Sequence, residues 1–204
     1  GSPRQQGRQT TSHSLLTYED RLHKSDWMIA DVPIAEARSF IELHHYAKGA
    51  SRTRVYIHGL YDKDGYDLRG LVWWLPPTRA AAETVNKERW RQVLGLSRMA
   101  VAPGVPKNAC SFLLGASTRI IKQDKRFVSL VTYADEAEGH NGHVYRACGW
   151  TYVGRTGRSA IWKSATGRRV HLQSTFSRTT GEMLALGYER TGWSAKHKFV
   201  KHLS

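Results

Sequence analysis

Apolar and polar positions alternate along the first half of the chain with the periods of short strands and helices. Ile34, Ala37, Phe40, Ile41 and His44 recur at helical spacing after Pro33, a residue favoured at the first position of a helix. The elements predicted here are a strand at 27–32, a helix from residue 33 to near residue 49, strands at 54–61 and 68–75 joined by a hairpin turn, and a helix at 80–92.

The second half continues the alternation of strands and helices. The predicted elements are a strand at 94–102, a turn at 103–106, a helix capped by Asn108, a buried strand at 127–133, a short helix ending before Gly149, a strand at 150–155, and two or three basic strands. This order predicts an α/β fold with a mixed sheet and helices on both faces. We expect residues 26–204 to form one domain and residues 1–25 to form a flexible polar arm.

Composition excludes several classes of protein. Hydrophobic residues make up 40% of the 204 residues, which supports a folded core, and no apolar run approaches the roughly 18 residues of a membrane-spanning helix. The polar N-terminus shows no signal peptide, so we expect a cytoplasmic protein without membrane contact. Cys110 and Cys148 lack the spacing of a zinc site and are predicted to be core thiols.

Positive charge is concentrated at the C-terminal end. The chain has 31 Lys and Arg against 17 Asp and Glu, and residues 151–204 contain ten of these basic residues and two acidic ones. Aromatic residues lie between these charges, which favours phosphate contact combined with base stacking. The predicted DNA contacts are Arg155, Arg158, Lys163, Arg168, Arg169, Lys196 and Lys198. The alternative is a solubilising basic surface on strands whose aromatic residues are core.

Three loops carry candidate chemistry. The turn after Ala102 leads into a helix whose free N–H groups form an anion site. The loop 133–143 contains Asp135, two glutamates and two histidines, which suit a metal site or a general base, or else cap the next helix and face water. His45 and Tyr46 follow the first helix, and they become stronger candidates for site residues if the fold places them near Asp135. No P-loop, dinucleotide-binding glycine pattern or nucleophile elbow is present in the sequence.

Several segments together resemble the Mom family of bacteriophage DNA-modification proteins. The segments are Leu96-Ser-Arg-Met-Ala-Val-Ala-Pro-Gly-Val-Pro-Lys-Asn-Ala109, Tyr133-Ala-Asp135, Gly139-His140, Val144-Tyr-Arg-Ala-Cys-Gly-Trp-Thr-Tyr-Val-Gly154, His45-Tyr46 and Trp74-Leu-Pro-Pro77. The resemblance extends over about 27–163 and is densest from 94 to 154. It implies a single-domain fold like the GNAT-type N-acetyltransferases, with the basic C-terminal strands as an addition.

The resemblance also implies an activity and its site. The activity is conversion of the N6 amine of adenine in double-stranded DNA to a methylcarbamoyl (acetamido-type) derivative, which protects phage DNA from restriction in the cytoplasm of the infected bacterium. Catalytic roles fall on His45, Tyr46, Asp135 and Tyr145. Iron(II) is implied as a metal held by His45, Tyr46 and Asp135. Acetyl-CoA or a related donor is implied at Val101, Gly104, Lys107, Asn108 and Ala109.

A paired adenine is buried in the duplex, so we expect the enzyme to flip its target base onto an aromatic surface. Trp73, Trp74, Tyr46 and Tyr145 are the candidates for that surface. Trp73 and Trp74 point to opposite faces of a strand, so the alternative for them is a place in the core. Two alternatives remain open: a DNA-binding module on a degenerate acetyltransferase fold, suggested by the missing Gly-x-Gly at residues 103–108, and an ordinary N-acetyltransferase. We expect no obligate protein partner.

Overall fold

A computed structural model describes residues 21–47, 49–138, 141–170 and 178–203 of the chain. The strands are β1 (Trp27–Asp31), β2 (Tyr56–Asp62), β3 (Leu68–Leu75), β4 (Val93–Val101), β5 (Ser129–Asp135), β6 (Thr151–Arg155), β7 (Ser159–Lys163), β8 (Glu189–Ser194) and β9 (Lys196–His202). The helices are α1 (Ile34–His44), α2 (Arg79–Glu83), α3 (Ala109–Asp124), α4 (His143–Ala147) and α5 (Thr180–Ala185), with 3-10 turns at Lys24–Asp26, Trp90–Gln92 and Glu136–Glu138.

Seven strands form the main sheet in the order β1-β2-β3-β4-β5-β9-β6. β4 and β5 run parallel, and they pair only from Val93 opposite Ser129 to Gly95 opposite Val131. Beyond Gly95 the two strands separate, so the middle of the sheet opens into a cleft. The predicted α/β class with a mixed sheet is confirmed.

Two neighbouring tryptophans show that both faces of the sheet are covered. Trp73 packs in an apolar cluster with Phe40 and Ile41 of α1, and Trp74 packs with Leu113 of α3 in another cluster. Both tryptophans are fully buried. The prediction that they form part of a base-stacking surface is therefore wrong, because a helix lies over each of them.

Residues 156–195, here called the ribbon segment, connect β6 to β9. β7 and β8 pair antiparallel outside the main sheet, and α5 lies between them in the chain. α5 begins with a capping box in which Thr179 and Glu182 bond each other's backbone N–H groups. Trp162 and Met183 are the large buried apolar side chains of the described part of this segment.

Local predictions deviate where side chains bond the backbone. α1 ends at His44 instead of near residue 49, because His45 is extended and its Nδ1 accepts a hydrogen bond from the N–H of Ala47. The helix predicted at 80–92 is limited to α2 and a 3-10 turn, since Asn86 Oδ1 accepts from the Arg89 N–H and forms a turn between them.

Two further predictions concern residues on α3 and near α4. Asn108 stands at the N-terminal boundary of α3 but does not cap it; its Oδ1 accepts a hydrogen bond from the Leu22 N–H at 2.7 Å. Cys110 and Cys148 are free thiols that are partly buried; Cys148 packs against the main apolar cluster, and burial raises the pKa of each. Most of the predicted arm, Gly139-His140, and residues 171–177 of the basic end lie outside the described residues.

Candidate active site

The cleft between β4 and β5 forms a cavity of about 250 Å³. Four elements line it: the C-terminal halves of β4 and β5, the residues after α1, and the start of α4. Sequence-predicted His45, Tyr46, Asp135 and Tyr145 all contribute to this one cavity. The fold therefore brings together residues that are separated by up to about 100 positions in the chain.

Asp135 is the last residue of β5 and is 4% exposed. Its Oδ1 accepts a hydrogen bond from Ser194 Oγ at 2.7 Å, and its Oδ2 accepts one from Arg169 Nη2 at 2.8 Å. Arg169 also donates to Glu138 in the 3-10 turn that follows β5. Because Ser194 and Arg169 both belong to the ribbon segment, this segment fixes the orientation of the carboxylate in the cleft.

Two more cations stand close to Asp135. Lys196 lies directly opposite Asp135 in the pairing of β5 with β9; burial lowers the pKa of Lys196, and the Asp135 carboxylate partly opposes that shift. Arg98 lines the cavity from β4 and donates to the carbonyl oxygens of Gly49 and Ser97. A cleft with this many positive groups favours a substrate or transition state with negative charge.

His45 and Tyr46 act as a stacked pair at the end of α1. Their ring centroids are 4.4 Å apart with an interplanar angle of 28°. Burial, and then the neighbouring Asp135 carboxylate, raise the pKa of the Tyr46 phenol. Tyr46 therefore stays protonated near neutral pH and is able to donate a hydrogen bond, while 44% of the residue remains exposed at the mouth of the cleft.

Tyr145 is positioned by a tight contact below α4. Gly142 has φ +73° and lies so close to Phe199 that an added Cβ would stand 2.1 Å from its ring. This contact sets the start of α4, and the Tyr145 ring packs against Phe199 at 5.2 Å and Trp150 at 5.8 Å. Burial raises the pKa of Tyr145, and a hydrogen bond with Thr132 partly opposes that shift. The phenol is thus a proton donor in the cleft.

The predicted iron ligands do not fit a metal ion. His45 Nδ1 accepts a hydrogen bond from the Ala47 N–H, so in the neutral imidazole the proton is on Nε2 and the lone pair of Nδ1 is engaged by the backbone. The Asp135 carboxylate is bound by a guanidinium and a hydroxyl group. Within the described ranges, no three His, Cys, Asp or Glu side chains come together in a way that would hold a metal.

The predicted donor-binding residues surround the N-terminus of α3. Gly104 has φ +77° in the turn after β4, and Val101 ends β4. Lys107 and Asn108 line a second depression, between α3 and α4, together with Arg21 and Cys110. The Ala109 N–H is bonded to the Pro106 carbonyl oxygen. A basic side chain beside the first turn of a 16-residue helix is suited to an anionic group.

The predicted DNA contacts divide into two groups. Arg158, Lys163 and Arg168 are exposed on the ribbon segment, and Arg155 is exposed on β6, where it forms a two-fold ion pair with Glu136. Arg169, Lys196 and Lys198 are partly buried, and Lys198 Nζ donates to Thr84 Oγ1. Arg169 bonds Asp135 and Lys196 lies opposite it in the sheet, so both are neighbours of the cleft's carboxylate, although neither lines the cavity.

Sequence reasoning missed Arg98, which lines the cleft, and Ser194, which bonds Asp135. Arg98 carried a usable signal, since it interrupts the apolar alternation of Leu94, Leu96 and Ala100 on β4. Ser194 carried none, because it meets Asp135 only through the folding of a segment 59 residues away.

Solved structures similar to this chain define the class of fold. An N-acetyltransferase from Staphylococcus aureus Mu50 aligns with a TM-score of 0.54 at 10% identity over 88% of this chain and 100% of its own. An IAA acetyltransferase from Bacillus cereus aligns with a TM-score of 0.53 at 12% identity, over 86% of this chain and 99% of its own. The Salmonella typhimurium protein yncA, solved with its cofactor acetyl-CoA, aligns with a TM-score of 0.52 at 9% identity, over 88% of this chain and 95% of its own. The fold is that of the GNAT-type acetyltransferases.

The family is shown by a comparison of sequence. The model of the Mom protein family matches residues 26–202, so the chain belongs to the Mom family. No curated protein matches the chain. The resemblance inferred from the segments around β4, β5 and α4 is confirmed. In the described part of the chain, no helix is both long and apolar enough to span a membrane.

Proposed function

We propose that this protein modifies the N6 amine of adenine in DNA by acyl-type transfer, giving a methylcarbamoyl (acetamido-type) adenine that protects phage DNA from restriction. The observation that carries the proposal is the convergence of Asp135, Tyr46 and Tyr145 in one cleft of an acetyltransferase fold, in a chain of the Mom family. The cytoplasm of the infected bacterium is the place where such a reaction protects phage DNA.

The proposed donor is acetyl-CoA or a related thioester. The similar Salmonella typhimurium protein holds acetyl-CoA as its cofactor. In this chain the depression lined by Lys107 and Asn108 at the start of α3 would bind the donor's phosphates. Gly104 lies in the turn between Val101, which ends β4, and Ala109, which begins α3. The opening between β4 and β5 would then lead the thioester to the cleft. A methylcarbamoyl product requires a donor whose carbonyl carbon carries a methylamino group, whereas acetyl-CoA gives an acetyl group.

The cleft residues supply the proton transfers of this reaction. As the N6 nitrogen forms its bond to the donor carbonyl carbon, Asp135 accepts the proton that leaves the nitrogen. As the carbon–sulfur bond breaks, Tyr145 donates its proton to the thiolate, a role that its raised pKa permits. Arg98 and Lys196 would stabilise the negative charge that develops on the carbonyl oxygen. Tyr46, exposed at the mouth and stacked on His45, would stack on the adenine.

Access to the amine requires that the adenine leave the duplex. The exposed Arg158, Lys163 and Arg168 of the ribbon segment, together with Arg155, are the proposed phosphate contacts. A net charge of +14 supports binding to a polyanion. Contacts to phosphate carry little sequence information, so we expect binding that tolerates many sequences.

The test is mass spectrometry of nucleosides from plasmid DNA co-expressed with the protein, with Asp135→Asn and Tyr145→Phe as variants. We expect a heavier deoxyadenosine with the parent protein, and its loss in both variants while their circular dichroism and DNA affinity stay close to the parent. The mass increments of methylcarbamoyl and acetyl groups differ by one NH, which identifies the donor class. Retained modification in both variants would refute the site assignment. Unchanged nucleosides combined with salt-dependent DNA binding would indicate a DNA-binding module instead.

A further inference from the structure

Trp193 stands beside the cleft and is turned away from it. All seven tryptophans lie in the described part of the chain, and Trp193, with 57% of its surface accessible, is the exposed one among them. It precedes Ser194, whose Oγ bonds Asp135. Successive side chains of a strand point to opposite faces, so β8 directs Ser194 to Asp135 and Trp193 to solvent. The exposed indole therefore projects to solvent from the residue next to the serine that holds Asp135.

An irregularity of β8 places an arginine over this indole. Gly192 pairs with Ile161 and Arg190 pairs with Trp162, which leaves Thr191 without an opposite residue. Because of this bulge, Arg190 lies on the same face as Trp193, and its guanidinium carbon is 5.3 Å from the indole ring centroid. Trp162 on that face is buried. The ribbon segment therefore has one buried tryptophan, Trp162, and one exposed tryptophan, Trp193, which stands next to a cation.

A planar aromatic ring next to a cation matches the chemistry of a nucleic acid, where stacked bases alternate with phosphates. When a base leaves the duplex, its neighbours lose their stacking partner, and a side chain that enters the gap restores part of that energy. An exposed apolar side chain alone needs no explanation. Trp193 differs in three ways. It is next to Ser194, the hydrogen-bond partner of Asp135, it lies on a basic segment, and Arg190 packs over its ring.

We propose that Trp193 enters the base stack of duplex DNA in place of the adenine that occupies the cleft, and that Arg190 binds the adjacent phosphate. This inference rests on the proposed function and adds to it the residue that makes a paired adenine accessible. Tyr46 stacks on the extruded base inside the cleft, whereas Trp193 fills the gap that the base leaves behind.

The experiment measures modification of one target adenine in three oligonucleotides: a fully paired duplex, a duplex with an abasic site opposite the adenine, and a single strand. The variants are Trp193→Ala, Trp193→Phe and the control Leu184→Ala, which removes a side chain of the ribbon segment that is also 57% exposed. We expect Trp193→Ala to slow modification of the paired duplex by about tenfold or more. The single strand should react at the parent's rate, and the abasic duplex, in which only the pairing is removed, should be slowed less than the paired duplex. Trp193→Phe should be intermediate and Leu184→Ala unchanged.

A structural role of Trp193 would give a different pattern. Equal loss of rate on all three substrates, or a parent-like rate of Trp193→Ala on the paired duplex, overturns the proposal. If the parent modifies none of the substrates, the proposed function fails. Insertion of Trp193 into the base stack is then tested by the fluorescence of 2-aminopurine placed next to the target adenine. A fluorescence increase that occurs when the parent binds and is lost in Trp193→Ala supports the insertion of Trp193. An increase that persists in Trp193→Ala, or that does not occur with the parent, overturns the proposal.

Discussion

The main sheet and the ribbon segment differ in what holds them together. The sheet has seven strands and buries large apolar side chains on both faces, with Trp73 under α1 and Trp74 under α3. Where the structure describes it, the ribbon segment has two strands and a six-residue helix, and its large buried apolar residues are Trp162 and Met183. A two-stranded ribbon is marginally stable alone. Its polar bonds from Arg169 and Ser194 to Asp135 therefore anchor it to the sheet.

This difference separates stability from function. Changes in the sheet should lower the free energy of unfolding of the domain. Changes in the ribbon segment should leave that free energy nearly unchanged and alter how Asp135 is held and how DNA is engaged.

Substitution of Gly142 should give the largest loss of stability. Gly142→Ala places a Cβ about on top of the Phe199 ring and forces a residue with a side chain into φ +73°. The left-handed backbone costs about 1–2 kcal/mol and the overpacking about 1–3 kcal/mol, so we expect a decrease of roughly 2–5 kcal/mol in the free energy of urea unfolding. Activity should fall as well, since α4 carries Tyr145.

The matched control is Gly187→Ala in the ribbon segment. Gly187 has φ +77°, but no atom lies within 4 Å of the added Cβ. Only the backbone cost of about 1–2 kcal/mol applies, and it should act on the local opening of the segment. If the two variants lowered global stability equally, the sheet and the ribbon segment would not differ as described.

Acid should weaken the sheet through His58. This histidine is 5% exposed, and its Nδ1 is 2.7 Å from Ser117 Oγ, which also accepts a hydrogen bond from the Trp74 indole. Burial lowers the pKa of His58 from its ordinary value of 6.5. The unfolded chain therefore binds a proton first as the pH falls below 6.5, and the stability of the fold decreases. Urea unfolding at about pH 7.5 and pH 5.5 should show the decrease.

His58→Gln removes the titrating group and identifies its share of the effect. We expect this variant to be less stable than the parent at neutral pH and to lose less stability between the two pH values. A pH dependence as steep as the parent's would assign the effect to other groups.

Asn108→Ala should release the chain before β1. The variant loses the hydrogen bond from the Leu22 N–H, which is worth about 1 kcal/mol. We expect a small decrease in melting temperature and faster trypsin cleavage after Arg21. Asn86→Ala is the control, because Asn86 Oδ1 accepts a local bond from the Arg89 N–H and does not contact that part of the chain. Cleavage after Arg21 at equal rates in both variants would contradict the tether.

Arg155→Ala should have the smallest effect on stability. Arg155 lowers the pKa of Glu136 through a two-fold hydrogen bond, but both groups are at the surface, where water and salt screen the pair. The melting temperature should stay within error of the parent's, while the salt dependence of DNA binding should weaken by one phosphate contact. A clear loss of stability at physiological salt would show that this pair supports the fold.

Most strands and helices of the domain could be predicted because the spacing of their apolar residues is a local property of the sequence. The helical spacing from Ile34 to Ile41 and the apolar run of β5 each lie within one element. The burial of both Trp73 and Trp74 follows from the predicted helices on both faces of the sheet, and their assignment to a base-stacking surface was inconsistent with that fold. The place of β9 between β5 and β6 is a long-range pairing that leaves no periodic signal in the sequence.

The candidate site was predicted in part. Asp135 and Tyr145 followed from the resemblance to the Mom family, and the structure places them in one cavity. Arg169 was expected at the DNA surface as one of many basic residues, and nothing in its own surroundings in the sequence indicates a bond to a residue 34 positions earlier. The poor fit of His45 as an iron ligand could not be predicted, because the backbone bond at its Nδ1 depends on the local conformation after α1.

The central claim is that the ribbon segment completes the reaction site through Arg169. The most direct measurement compares adenine modification by Arg169→Gln and Arg54→Gln, both with confirmed folding. Arg54 is a matched control: its side chain is 33% exposed and pairs with Asp31 at 2.6 Å, against 30% exposure and 2.8 Å for Arg169 with Asp135. We predict about a 100-fold or greater loss of modification for Arg169→Gln and none for Arg54→Gln. Parent-level modification by a folded Arg169→Gln would contradict the account.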